Sequence, residues 1–420
     1  MTFSGVKQII PCFSAGLPAV IMRLTLTFAL SVSILPAVHA QTFTVIHQFT
    51  GAADGSSPRA GLTVDAAGSL YGTASQGGTA NHGAAFSLQL INSAWVFSPL
   101  YSFQGEPDGA TPLTRVRFGP DGALYGTTAR GGNEGCNVTC GTVFQLKPPV
   151  TVKQDMWTET VLYRFAGGSD GNYPVGDPVF DSAGNMYGTT GLGGTNNQGT
   201  VYQLMPSGGN WIHTVVYRFA GGPTDGYSPN SGVVLDSAGN LYGTTYYGGA
   251  FGPGVVYQIT HPGSDWMESV IHDFQGGDDG GNPVAGLILD SLGNLYGATT
   301  TGANGGGAAV ELSPSGNSWT LTPLYGFTPP GTGPYGALTM DANGNLYGTT
   351  FAGGLNGLGS VFKLTPSAND WTYTGLHDFT GGMDGANPWG GVTIGTNGKL
   401  YGTTGAGGLN GLGVVWEIAP

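Results

Sequence analysis

Apolar and polar positions along the chain fall into short bursts of four to nine residues, cut apart by glycine, proline, asparagine and aspartate. A well-preserved stretch reads as four such runs: Gly232 to Asp236, Leu241 to Thr245, Val255 to Ile259 and Trp266 to Phe274. Between them stand Ser237-Ala238-Gly239-Asn240, a Gly248-Gly249 loop and His261 to Asp265. Short β-rich runs bounded by turn formers predict antiparallel strands, and no stretch holds a helical period over a useful length.

The four-run unit recurs. Its Tyr-Gly pair stands at Tyr71, Tyr125, Tyr187, Tyr242, Tyr296, Tyr347 and Tyr401, with gaps of 54, 62, 55, 54, 51 and 54 residues. Four strands in roughly 50 residues, written seven times, predict an all-β, seven-bladed β-propeller with four antiparallel strands per blade. The ends of the chain support a closed ring. Six tryptophans (Trp95, Trp157, Trp211, Trp266, Trp319 and Trp371) each precede by eight residues a phenylalanine that closes the fourth run. The last unit stops after its third run, and the missing fourth is at the other terminus, residues 42–49, ending on Phe49. That strand is predicted to complete the last blade and remove the open edges.

Composition then sharpens the picture. There are 78 glycines and 26 prolines in 420 residues, but 11% of the chain is aromatic and only 9% charged, the reverse of a disordered composition. The period assigns the glycines to turns and close approaches. A net charge of −13 with no basic run excludes a nucleic-acid footprint. Residues 1–40 contain a signal-peptide pattern: Met22-Arg23, an apolar run, then Val38 and Ala40 at the cleavage positions, with Met22 as an alternative start. No later segment has the length of a membrane span. The expected product is a secreted or periplasmic, monomeric domain of residues 41–420. Cys136 and Cys140 read as a short-loop disulfide in an exported protein.

Candidate chemistry is sparse. The Asp-x-x-Gly-Asn turn offers Asp65, Asp181, Asp236, Asp290 and Asp341, with Gly119 and Gly395 in the remaining copies. One carboxylate per turn falls short of the six or more oxygens calcium takes, so turn capping is the preferred role and no cofactor is expected. The segment joining the blades carries Asp54, Asp108, Asp170, Asp225, Asp279 and Asp384, with Asp278 beside Asp279. If it runs inward, these carboxylates encircle the channel mouth as a cation or polyhydroxyl site; the simpler alternative is a set of Asp-Gly turns, each serving its own loop. Trp389, Tyr173, Tyr227 and Tyr335 lie near the proline of the same segment, where aromatic faces can stack on sugar rings. The Tyr of each Tyr-Gly pair and the Trp set are assigned to packing between blades. The Tyr/His position before each closing Phe is assigned to packing on an outer strand. His272-Asp273 and His377-Asp378 are rejected as dyads, since neighbours in a strand face opposite ways.

The unit Asp-x-x-Gly-Asn-Leu-Tyr-Gly-Thr-Thr-x-x-Gly-Gly, as in Asp341 to Gly354, resembles the GloVer-type extracellular tandem repeat of bacteria, and its Asp-x-x-Gly-Asn-x-Tyr core is similar to NHL and gluconolactonase-like propellers. The first resemblance implies export and carries no assigned reaction. The functional expectation is a non-catalytic binding or scaffold protein whose ligand is an extracellular glycan or cell-surface component at the propeller face. The alternative is a lyase or glycosidase acting on extracellular polysaccharide through carboxylates at the channel.

Overall fold

The computed structural model describes residues 41–133, 140–149, 157–328, 333–368 and 370–419. The leader expected over residues 1–40 lies outside them. Seven antiparallel sheets form the ring of a β-propeller; six have four strands, and that of blade 3 gains a fifth where Asn172–Pro174 pairs with Met186–Leu192. In blade 1 the strands from channel to rim are Thr63–Val64, Leu70–Ala74, Ala84–Ile91 and Ala94–Ser102. Blade 7 is composite: Thr393–Ile394, Leu400–Thr404 and Val414–Ala419 take Thr42–Gln48 as the outer strand. The two chain ends pair antiparallel, Thr42 opposite Ala419 and Gln48 opposite Val414, as the complementary termini predicted.

The innermost strands are shorter than expected. Where the sequence suggests five residues over 232–236, only Val234–Leu235 pairs in the sheet. The residues before it leave the ladder to form the channel wall.

The Leu-Tyr-Gly-Thr-Thr motif resolves into five separate jobs. Its Leu is fully buried in every blade's core except for 2% exposure at Leu400, with Met186 in its place in blade 3. Its Gly sits opposite an aromatic ring in six blades, Gly72 across from Phe86 and Gly402 across from Trp416, for example. A Cβ there would collide with the ring, so this glycine is required for packing rather than for a turn. The first Thr donates to a backbone carbonyl of the next blade: Thr73 to Thr114, Thr189 to Ser231, Thr349 to Gly390 and, across the closure seam, Thr403 to Ala60. The second Thr bonds its own third strand, as Thr190 does to Thr200 at 2.8 Å.

The motif's Tyr links turn and neighbour. In the Asp-x-x-Gly-Asn turn, Asp236 Oδ1 accepts from the N–H groups of Ala238 and Asn240, and Oδ2 from Asn240 Nδ2 and the Tyr242 hydroxyl. Gly239 supplies the left-handed residue of the turn, φ 84°. Where Gly119 and Gly395 replace the aspartate, the acceptor moves two residues on: Asp121 caps Ala123 and binds Tyr125, and Asn397 caps Lys399 and binds Tyr401. The Tyr rings then meet the Trp of the following blade, Tyr71 with Trp157, Tyr125 with Trp211 and Tyr401 with Trp95. The expected packing between blades is therefore present, including across the seam.

Candidate ligand-binding face at the channel mouth

The chain crosses from one blade to the next through a residue that precedes a proline. Six of these residues, Ser57, Thr111, Tyr173, Ser228, Asn282 and Asn387, have positive φ between 52° and 61°. Each donates its N–H to the loop of the preceding blade, as Thr111 does to His82 and Asn387 to Leu358. A β-branched residue at positive φ is strained, and Thr111 is held there by these contacts. The proline then starts the wall of the channel.

Three positions after that proline the wall carries glycine in four blades: Gly61, Gly232, Gly286 and Gly391. Blades meet closely at this level; a Cβ on Gly391 would overlap Ala337 O. Blade 6 has the small Ala337 there, and blades 2 and 3 break the rule with Arg115 and Asp177. Arg115 reaches across Gly61 of blade 1, where any side chain would collide with its guanidinium. The backbone N–H of Arg115 donates to Asp177 Oδ1 at 2.8 Å, while Asp177 Oδ2 lies 3.8 Å from Arg115 Nε and 3.6 Å from Arg117 Nη2. Burial, reinforced by Arg117 and opposed by Asp177, lowers the Arg115 pKa to about 10, which leaves it charged at neutral pH.

The resulting channel cavity holds about 720 Å³, lined among others by Arg59, Arg115, Arg117, Asp177, Tyr335 and Trp389. Three arginines face one carboxylate there. Arg59 lies over the Trp389 ring, 5.0 Å to the centroid, and Trp389 packs against Tyr335 and Phe351 at 5.2 and 4.5 Å. Farther round, Tyr227 stacks on Tyr247 at 5.2 Å, and Tyr247 is 43% exposed. A second cavity of about 760 Å³ shares Arg59 and Leu113 with the first and is lined also by His82, Glu106, Arg130 and Tyr173. Aromatic rings and arginines thus both border the opening, and they meet where Arg59 covers Trp389.

The aspartates proposed for this rim are placed elsewhere. Asp54, Asp108, Asp170, Asp225, Asp279 and Asp384 line neither cavity. Each accepts from a loop amide four or five residues back: Thr50, Gln104, Ala166, Ala220, Gln275 and Thr380. Each also binds the Tyr or His of its own outer strand: His47, Tyr101, Tyr163, Tyr217, His272 and His377. The joining segment therefore folds back on the outer strand before it runs inward, which carries the carboxylates away from the channel. Asp278 is exposed on that loop. Of the proposed rim residues, Trp389 and Tyr335 line the channel cavity and Tyr173 the second one; Cys140 is buried and disulfide-bonded, and Cys136 lies outside the described residues.

The seven-residue step also makes three His–Asp pairs that strand alternation does not reveal. His47–Asp54 and His272–Asp279 are 3.2 Å apart and His377–Asp384 3.0 Å. Burial lowers the pKa of His47 and His272, against the pull of their aspartates. Their rings pack on the next blade, His47 on Phe97 and His377 on Phe43, at 4.0 and 3.7 Å. Where the outer strand offers Tyr instead, the neighbouring blade presents a polar group: Glu159 toward Asp108, His213 at 3.3 Å from Asp170, and Glu268 toward Asp225. Burial and then Asp108 push Glu159 up to about 8; burial and then Asp225 push Glu268 to about 7. These are structural sites of the rim.

Residues 32–236, 141–330 and 234–420 match the Gloeobacter/Verrucomicrobia repeat, and the chain belongs to that repeat family. No curated protein matches it. In structure it is similar to a putative 6-phosphogluconolactonase from Bacteroides uniformis, with 15% identity, a TM-score of 0.50, and coverage of 76% of this chain and 84% of that one. It is also similar to the polysaccharide lyase Uly1, with 13% identity, 91% and 93% coverage and a TM-score of 0.49. A family PL25 ulvan lyase shares 12% identity, 77% and 85% coverage and a TM-score of 0.48. At 15% identity the likeness to the first of these shows the propeller fold alone. Among the described residues no helix is long and apolar enough to cross a membrane, and no three His, Cys, Asp or Glu side chains gather as a metal site.

Proposed function

We propose that this is an exported binding protein that holds an extracellular saccharide at the channel mouth. The observation that carries this reading is the Trp389–Tyr335–Phe351 cluster with Arg59 on the Trp389 ring, set at the opening of a cavity large enough for a sugar unit. Aromatic rings offer flat apolar faces for the C–H side of a pyranose, and guanidinium groups beside them supply hydrogen bonds to its oxygens. Six equivalent aspartates tied to their own loop amides fit a scaffold role for those residues. The Asp-Gly carboxylates named for the enzyme alternative line neither cavity, which supports the binding reading.

The test is a glycan array read with the protein and with its Trp389→Ala and Tyr335→Ala variants. Retention of a defined saccharide class, lost in both variants while their melting temperatures hold, supports the reading. Saccharide binding that both variants keep would place the site elsewhere and overturn it.

A further inference from the structure

We infer that the ligand of this face is an acidic saccharide, whose carboxylate or sulfate groups are received by Arg59, Arg115, Arg117 and Arg130. This rests on the preceding reading that the face binds a saccharide, and it names the class.

The argument begins with how rare positive charge is in this protein. Twelve lysines and arginines oppose twenty-five acidic residues. After residue 40 there are six arginines, Arg59, Arg115, Arg117, Arg130, Arg164 and Arg218. Four of them line the channel cavity and the groove that adjoins it. The other two are spent on structure: Arg164 Nε donates to Pro107 O at 2.8 Å and Arg218 Nε to Ser169 O at 3.0 Å, each holding a joining segment. The described lysines are likewise engaged, Lys399 on Glu417, Lys147 near Asp121 and Lys363 over Tyr347.

The channel arginines are under-satisfied by comparison. The Nε groups of Arg59 and Arg115 are both buried without a hydrogen-bond acceptor. A buried donor left unpaired costs free energy comparable to a lost hydrogen bond, and charged donors cost more. Asp177 neutralises one guanidinium of the three lining the channel, so the cavity keeps an excess of positive charge within a molecule of net charge −13. A cleft of one sign with low-dielectric walls concentrates the opposite ion. Guanidinium forks match carboxylate and sulfate oxygens, and Arg59 joins the two cavities, so anionic units spaced along a chain can occupy both. The positive charge of this face also explains how an acidic protein can accept an acidic polymer, with the rest of its surface repelling nonspecific contact.

The experiment is isothermal titration of the protein with polygalacturonate, the same polymer fully methyl-esterified, dextran sulfate and inorganic polyphosphate, from about 50 to 500 mM NaCl. Arg117→Gln and Arg130→Gln serve as variants because both side chains reach solvent and their loss leaves the buried Arg115–Asp177 contact in place. The expected result is binding of polygalacturonate or dextran sulfate, weakened by salt, at least about 10-fold tighter than the esterified polymer, and reduced by a similar factor in each variant. Preference for polygalacturonate assigns carboxylate as the recognised group; preference for dextran sulfate assigns sulfate. Equal binding of the esterified and free polymers, or arginine variants with unchanged affinity, would overturn the inference while leaving saccharide binding standing. Polyphosphate binding as tight as that of both saccharides, unaffected by Trp389→Ala, would overturn the saccharide reading itself. So would no binding to any of the four.

Discussion

Arg59, the second residue of the wall in blade 1, lies 5.0 Å from the ring centroid of Trp389, the corresponding residue in blade 7. The contact spans the seam where the ring closes, and it fixes a cation beside an aromatic face at the channel mouth. Replacing Arg59 with Ala removes this contact and a lining side chain from both cavities. Folding stability should fall by no more than about 1 kcal/mol, the size of such a contact at a partly exposed site. Tryptophan emission should shift to the red as Trp389 loses its cover, and saccharide binding should weaken. An unchanged emission spectrum would show that Trp389 is not covered by Arg59 in solution.

Closure by the N-terminal strand is a separate matter. Deleting residues 42–49 removes the outer strand of blade 7 and exposes the edge of Val414–Ala419. It also removes Phe43 from the His377 and Trp416 rings and Phe49 from the blade 1 core. The expected product is aggregated or fails to fold cooperatively by calorimetry. A monomeric deletion with an unaltered melting temperature would contradict a ring closed in this way.

The rim carboxyls predict how stability depends on pH. In the folded chain Glu159 is pushed up to about 8 and Glu268 to about 7, against an ordinary value of 4.5. The folded chain therefore binds more protons than the unfolded one between pH 4.5 and these values, and stability falls as pH rises through that window. Glu159→Gln keeps the shape and cannot ionise. At pH 8 it should be more stable than the wild type by about 1–2 kcal/mol, with the gain gone near pH 4. Melting temperatures across this range read the effect directly; a gain that persists at pH 4 would refute the account in which burial and Asp108 hold Glu159 protonated.

How much of this was legible beforehand varies with the physical signal. The propeller, its seven blades and its closure follow from the repeat and from the complementary ends, because the strand pattern is written into every copy. The roles of Tyr242 and Trp266 were also readable, since residues present in nearly all copies serve what all blades share. The candidate site was less accessible. Asp54 and its equivalents look like a channel ring only if the joining segment heads directly inward; the hydrogen bond to the outer-strand Tyr or His, seven or eight residues back, turns it outward first. Arg115 and Asp177 carried a usable signal, for they occupy the position that is glycine in four other blades. That signal lies in the departure from the repeat, whereas searching for motifs rewards what repeats. The meeting of Arg59 and Trp389 depends on ring closure and cannot be seen along the chain.

Carboxylates that hold turns should be silent in binding. Asp279→Asn keeps one acceptor oxygen but loses the charge that strengthens the bonds from Gln275 N–H and His272, and should cost about 1 kcal/mol of stability. Asp278→Asn, on the exposed loop, should cost nothing measurable. Neither should change saccharide affinity. Loss of binding in Asp278→Asn with its melting temperature intact would return these residues to the list of ligand contacts.

Thr111 offers a test of stored strain. Its φ of 58° is unfavourable for a β-branched residue, and its N–H is needed by His82 O. Thr111→Gly retains the N–H and relaxes the backbone, so stability should rise by about 1 kcal/mol. A clear loss of stability would mean that the Thr side chain supports the groove more than its backbone strains it.

The central claim, that the channel mouth receives an acidic saccharide, is tested most directly by a crystal structure of the protein with an oligogalacturonate. The account predicts a sugar ring stacked on Trp389 or Tyr335, with a carboxylate within hydrogen-bonding distance of Arg59, Arg115 or Arg117. Electron density for the oligomer at the outer strands or on the Asp-Gly loops, with the channel mouth holding solvent, would contradict it.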